Sequence, residues 1–127
     1  MDNDLSPAPA QTLVDLLERR RHDPTPGIVR GDRSWSWAEA VAESERWGAA
    51  LDATIGPGRG TSDVRHVGLL MENTPEYLLA LLGAAGRGIT TVGLNTTRRG
   101  EELRRDILHT DCAVVLTDPA GAPLLRD

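Results

Sequence analysis

"HVGLLMENTPEYLLALLGAAGRGITTVGLN", residues 66–95, changes its hydrophobic pattern twice. His66 to Met71 is a short, nearly unbroken apolar run, the length of a strand buried on both faces. Thr74 and Pro75 then supply a helix N-cap and a proline at the first helical position, where a missing N–H costs nothing. From Glu76 to Arg87 apolar residues dominate, and Gly88 stands where a helix end favours glycine. Thr90 to Leu94 is again a short strand. The stretch reads strand, helix, strand.

Working outward, the C-terminal side continues the alternation with a charged amphipathic helix from Arg99 to about His109 and a last strand over Ala113 to Thr117. The order β-α-β-α-β predicts an α/β fold: a parallel sheet with right-handed crossovers and flanking helices packed on its faces. On the N-terminal side, Thr12 caps "LVDLLERRR", with Leu13, Leu16 and Leu17 on one side and Asp15 in the favourable first turn. "HDPTPG" ends that helix. Ile28 to Arg30 and Arg33 to Trp35 form a strand pair around Gly31 and Asp32. Ser36 and Glu39 make an S-x-x-E capping box for a second helix, with Val41, Trp47 and Leu51 toward one side, and "GPGRG" at 56–60 closes it. Residues 1–10, acidic and rich in Pro and Ala, read as a disordered tail, and 11–127 as one folded unit.

The bulk numbers narrow the functions. A chain of 127 residues supports one core that buries about two thirds of its unfolded surface. Its 14 basic residues are all arginine, against 19 acidic ones, for a net charge of −5. That balance disfavours a nucleic-acid partner. Without lysine the chain itself supplies no Schiff base and no Walker-type lysine. The single cysteine, Cys112, allows no intrachain disulfide and fits a reducing, cytoplasmic setting. At the head of "CAVVL" it reads as a small buried hydrophobe. The longest apolar stretch, around 77–86, is too short for a transmembrane segment.

Tested one at a time, the candidate sites are incomplete. A nucleotide cradle needs glycines between the first strand and its helix, and "MENTPEY" has none. "GPGRG" follows a helix and reads as a loop. His22, His66 and His109 form no helical pair with one another or with Cys112, so no metal set arises. His109 suits a helix C-terminus, and no serine lies in a G-x-S-x-G elbow. Trp35, Trp37 and Trp47 read as packing around one helix, with no basic residues interleaved as a nucleic-acid platform requires. Glu101 and Arg105 form a favourable i,i+4 pair on a solvated face. Arg98 and Arg99 are the oddity: both fall at the first turn of the last helix, where positive charge costs up to roughly 1 kcal/mol each.

Three stretches together resemble the N-terminal region of the adenylate-forming acid–CoA ligases. Residues 67–118 show that family's strand ending near Asn73, apolar helix, Gly88 corner, strand ending in Leu-Asn and helix with Glu-Leu. "SWSWAEA" at 34–40 is similar to its Thr-Tyr-x-Glu-Leu segment, with Trp37 at the aromatic position and Ala40 replacing leucine. "TLVDLLERRRHDPTPGIV" matches its opening helix and first strand. Asn95 is similar to the fatty-acyl CoA ligases, and "TTRRGEEL" to the very-long-chain and fatty-acid-transport branch.

The resemblance implies a parent that joins ATP and a fatty acid or other carboxylate into an acyl-adenylate, with Mg2+ offsetting phosphate charge, before the CoA thiol displaces AMP. It also implies a phosphate loop, a ribose carboxylate, a Thr-Glu pair and a C-terminal lysine, none of which matches a position in this chain. No catalytic, cofactor-binding or metal residue carries over. The chain reads as a partial N-terminal subdomain, inactive alone, that would bind none of these ligands itself. Arg98 and Arg99 remain as weak anion contacts, for a CoA phosphate or an acidic lipid at a membrane surface, or as partners of carboxylates elsewhere in the parent. Two other readings stand beside this one: a free-standing Rossmann-like binding or regulatory module, and a unit whose exposed strand edges invite self-association.

Overall fold

Thr12 opens the first helix, α1 (Leu13–Arg19), through a closed capping box. Its hydroxyl accepts from the Asp15 N–H at 3.1 Å, and the Asp15 carboxylate accepts in return from the Thr12 N–H at 3.0 Å. The computed structural model describes residues 7–57 and 64–126. Residues 1–6 of the tail and 58–60 of the glycine loop therefore lie outside the described residues.

Strands β1 (Pro26–Arg30) and β2 (Arg33–Ser36) pair antiparallel, each slightly longer than its apolar run suggests. Gly31 supplies the positive φ (59°) that a two-residue hairpin loop needs. Helix α2 (Trp37–Ile55) starts at Ser36 with both bonds of its capping box, 3.1 Å from the Glu39 N–H and 2.8 Å from the Ser36 N–H to the Glu39 carboxylate.

The rest of the chain follows the strand-helix alternation: β3 (His66–Leu70), α3 (Pro75–Gly86), β4 (Thr90–Gly93), α4 (Gly100–His109) and β5 (Val114–Thr117), then a 3-10 turn over Ala122–Leu125. Thr74 caps α3 by accepting from the Tyr77 N–H at 3.3 Å. At its other end Gly88 (φ 64°) lets the Ile89 N–H reach the Ala84 carbonyl at 2.9 Å and its own N–H reach Ala85 at 3.2 Å. Those two bonds satisfy carbonyls that the helix end leaves open.

The three later strands form a parallel sheet in the order β4-β3-β5. Strand β3 is central, and Val67, Leu69 and Leu70 are fully buried. Alternation along the strand sends Val67 and Leu69 into a cluster with Leu51, Ala80, Ala84 and Ile89, under α2 and α3. Leu70 points the other way, onto Leu94 and Leu103 of α4. Both faces are covered, which is why β3 is apolar at successive positions. Each such leucine contributes roughly 1.5–3 kcal/mol by burial.

Four local expectations need correction. Helix α4 begins at Gly100, so neither Arg98 nor Arg99 lies in its first turn, and β5 begins one residue late, at Val114. Glu101 faces Arg104 at 3.6 Å, so the i,i+3 partner displaces Arg105. The tryptophans are only half buried, and arginines do reach two of them: Arg33 lies over Trp35 (4.8 Å) and Arg20 over Trp37 (5.7 Å). A cation over an indole face is attracted to its ring quadrupole, so these are internal stacking pairs.

Candidate functional site

A parallel α/β sheet presents its ligand-facing loops at the C-terminal ends of its strands, beside the point where strand order reverses. Here that point is β3, with loops 71–74, 94–99 and 118–121 around it. In the first loop Met71 is buried, the Asn73 carbonyl accepts from the Arg30 guanidinium at 2.5 Å, and Pro75 occupies the first position of α3 without an N–H. The Thr74 hydroxyl already takes a further helix-end donor. These residues do not fit a phosphate.

The second loop holds the two arginines. The Asn95 side chain accepts from the Thr97 N–H (2.9 Å) and the Thr97 hydroxyl (2.7 Å), which folds the chain tightly after β4. The Arg99 guanidinium donates to the carbonyls of Thr96 (2.6 Å) and Arg98 (2.7 Å). Arg98 reaches Glu102 at 3.2 Å and Asp106 at 3.5 Å. Glu101 and Glu102 occupy the helix's first turn, as its dipole favours. In the third loop the Thr117 hydroxyl donates to the Leu70 carbonyl at 2.8 Å, and the Gly121 N–H donates to the Asp118 carboxylate at 2.8 Å. The described edge of the sheet is closed by its own hydrogen bonds.

Elsewhere Thr110 is the partner of both His66 and Cys112. His66 Nδ1 lies 2.8 Å from the Thr110 carbonyl, which only accepts, so Nδ1 carries the hydrogen. Cys112 is half buried with Sγ 3.3 Å from the Thr110 hydroxyl. Among the described residues no group of three His, Cys, Asp or Glu side chains could hold a metal ion.

The tightest approach to another segment's backbone is one that local pattern does not announce. A Cβ on Gly83 would stand 2.3 Å from the Ser44 carbonyl, and one on Gly48 would stand 2.4 Å from the Gly83 carbonyl. Helices α2 and α3 cross backbone to backbone there, beside the buried Ser44, whose hydroxyl donates to the Val41 carbonyl at 2.8 Å. The available signal was two glycines inside helical stretches, each costing about 1 kcal/mol against alanine with no local return. Next to this crossing Asp52 pairs with Arg65 and, at 3.3 Å, with Arg87, tying α2 to the start of β3 and the end of α3.

Likeness to known proteins decides the family. Residues 18–127 match the family described as AMP-binding enzyme. The chain belongs to that family. Steroid-22-oyl-CoA synthetase of Rhodococcus jostii (strain RHA1) is 41% identical over 110 residues, which are 87% of this chain and 19% of that protein. Medium/long-chain-fatty-acid–CoA ligase FadD17 of Mycobacterium marinum is 42% identical over 120 residues, 94% of this chain and 22% of its own length. The N-terminal domain of FACL13 from Mycobacterium tuberculosis has the same fold at a TM-score of 0.78 and 26% identity, over 89% of this chain and 28% of that one. This AMP-binding family member thus spans about a fifth of the length of the curated relatives it matches.

Proposed function

We propose that the chain is an N-terminal part of an ATP-dependent acid–CoA ligase, acting on a fatty acid or a related carboxylic acid, and that it supplies scaffold rather than reacting groups. One observation carries this: the β-α-β-α-β frame matches the family over residues 18–127, while its β3–α3 turn, with Thr74 and Pro75 on the helix end, offers no cradle for phosphate. The same turn counts against a free-standing Rossmann-like module. Relatives named for steroid, medium- and long-chain fatty acids support a lipid-like carboxylate as the parent's substrate. ATP, CoA and Mg2+ then belong to residues beyond these, and the chain alone is inactive.

Arg98 and Arg99 serve the loop in this reading. An anion such as a CoA phosphate or an acidic lipid would have to compete with Glu102 and Asp106 for Arg98. Changing both to glutamine in a longer ligase and measuring the KM for CoA separates the two roles: an unchanged KM removes the anion contact. For the main reading, calorimetry of the 127-residue chain with ATP and Mg2+ should show no stoichiometric binding, while a polypeptide extended to the relatives' length should form acyl-adenylate from fatty acid and ATP. Tight one-to-one ATP binding by the short chain would overturn it.

A further inference from the structure

Strand β5 has the make-up of an interior strand but stands at the lateral side of the sheet. Val114, Val115 and Leu116 are apolar in succession, with Leu116 packed on the α2–α3 face and Val115 on the α4 face, the pattern of a strand covered on both sides. Strands that end a sheet are commonly blunted by a charge, a proline or a bulge, and β5 has none of these. The Ala113 N–H donates to the His66 carbonyl at 2.9 Å, so alternation along the strand turns the N–H and C=O groups of Val114 and Leu116 away from β3. Backbone groups in that row are matched by one kind of protein partner, another strand.

The order of the strands says how that strand arrives. Helix α3 carries the chain from β3 out to β4 on one face of the sheet, and α4 carries it back past β3 to β5 on the other. A further step in the same direction, from β5 outward, is right-handed only with its crossover on the α4 face. The chain has already turned that way, since Leu124 of the 3-10 turn packs with Leu70, Leu94 and Leu103. Between that turn and α4 lies an apolar groove of about 210 Å³, lined by Leu103, Ile107, Leu108, Leu124 and Leu125, with Leu108 60% and Leu125 38% exposed. One crossover helix followed by one strand covers both the groove and the open backbone groups. A second copy covers only the latter: β5 paired antiparallel with itself, Val114 opposite Leu116, sets Asp118 of one copy beside Asp111 of the other and leaves the groove empty. The curated relatives, of whose length this chain spans about a fifth, have room for the segment.

We propose, resting on the reading of this chain as the N-terminal part of a longer ligase, that the segment following residue 127 crosses on the α4 face as a helix seated in the groove of Leu108 and Leu125, then pairs parallel with β5 as the next strand of the sheet.

Amide hydrogen exchange tests it in two polypeptides, the 127-residue chain and one extended to the relatives' length. In the short chain the Val114 and Leu116 amides should exchange at least about a hundredfold faster than the Val115 amide, and in the long one they should slow to match it. Leu108→Glu should leave the β5 rates of the short chain unchanged, because that side chain faces water there, and should quicken exchange at Val114 and Leu116 at least about tenfold in the long one. Fast exchange at both amides in the long polypeptide overturns the proposal. So does slow exchange in the short chain that deepens with its concentration, which assigns the pairing to a second copy. Acyl-adenylate formation by the long polypeptide is read separately: activity with fast amides sinks the added strand and keeps the ligase, and slow amides without activity do the reverse.

Discussion

Two residues at helix ends show how far a side chain's effect follows from one backbone angle. Gly88 and Asp111 hold equivalent places, just past α3 and α4, at φ 64° and 53°. After α4 the Cys112 N–H reaches the Ile107 carbonyl at 3.3 Å and the Asp111 N–H reaches Leu108 at 3.2 Å, the same pair of bonds that Gly88 allows after α3. Glycine pays no Cβ penalty in this region and aspartate pays some. Gly88→Ala should therefore cost about 1 kcal/mol and Asp111→Gly should return roughly 0.5 kcal/mol, opposite signs readable from urea midpoints at constant m-value. Gly88 was legible in the sequence because its signal is local. Asp111 was not, since an aspartate after "ILHT" carries no mark of a left-handed residue. Gly83 was illegible for a different reason: its constraint is the Ser44 carbonyl, far off in the chain. Gly83→Ala gains helix propensity but drives the two helices apart, and the overpacking should win by about 2 kcal/mol. Thermal unfolding should fall by roughly 6–10 °C.

Among elements, the capping boxes were readable and the clamps that join one element to another were not. Thr12 with Asp15, and Ser36 with Glu39, announce α1 and α2 within four residues of sequence. The start of α4 was misread because "TTRRGEEL" looks continuous, whereas Asn95 turns the chain on Thr97 and Gly100 (φ 46°) begins the helix after both arginines. The clamps join distant segments: Arg21 holds Glu45 on α2 while pairing with Glu18 at 2.8 Å, and Arg33 of β2 holds Glu76 on α3. Hydrogen bonding to these arginines lowers the pKa of Glu18, Glu45 and Glu76, and Thr25 followed by Arg20 brings Asp23 to about 2. A carboxylate depressed in the folded state contributes stability that is complete above its ordinary value and lost as pH falls through the folded one. Melting temperature should thus decline from about pH 4 downward, with the Asp23 share disappearing only near pH 2. Arg21→Gln should flatten the upper part of that decline, because Glu18 and Glu45 then titrate nearly as in the unfolded chain. An unchanged acid limb in this variant would remove the clamps from the account.

For the whole molecule, strand count, parallel direction and family were legible, because each apolar run and its flanking cap lies within one short window. Strand order was not: nothing local says that β5 returns to the far side of β3. The candidate site was legible mainly as a glycine-free turn, and the structure adds that Thr74, Asn95 and Thr117 each spend a polar side chain on closing the sheet's own edge. Stability should then grade outward from β3, where four successive residues are buried, to α1, which has one. Local opening depends on how much apolar contact an element loses, so native-state hydrogen exchange should be slowest in Val67–Leu70 and the middle of α3, and fastest in α1 and the 3-10 turn. Leu17→Ala sharpens the distinction. Removing the one buried anchor of α1 should cost about 2–5 kcal/mol if that helix unfolds only with the core, and far less if it opens alone. Because the apolar cluster around Leu17 is small among the described residues, formed with Val41, Leu82 and the edge of Leu81, separate opening is the expected result. Exchange in α1 should accelerate in the variant while the rates in β3 remain unchanged; a matching acceleration in β3 would show instead that α1 belongs to the same cooperative unit as the sheet.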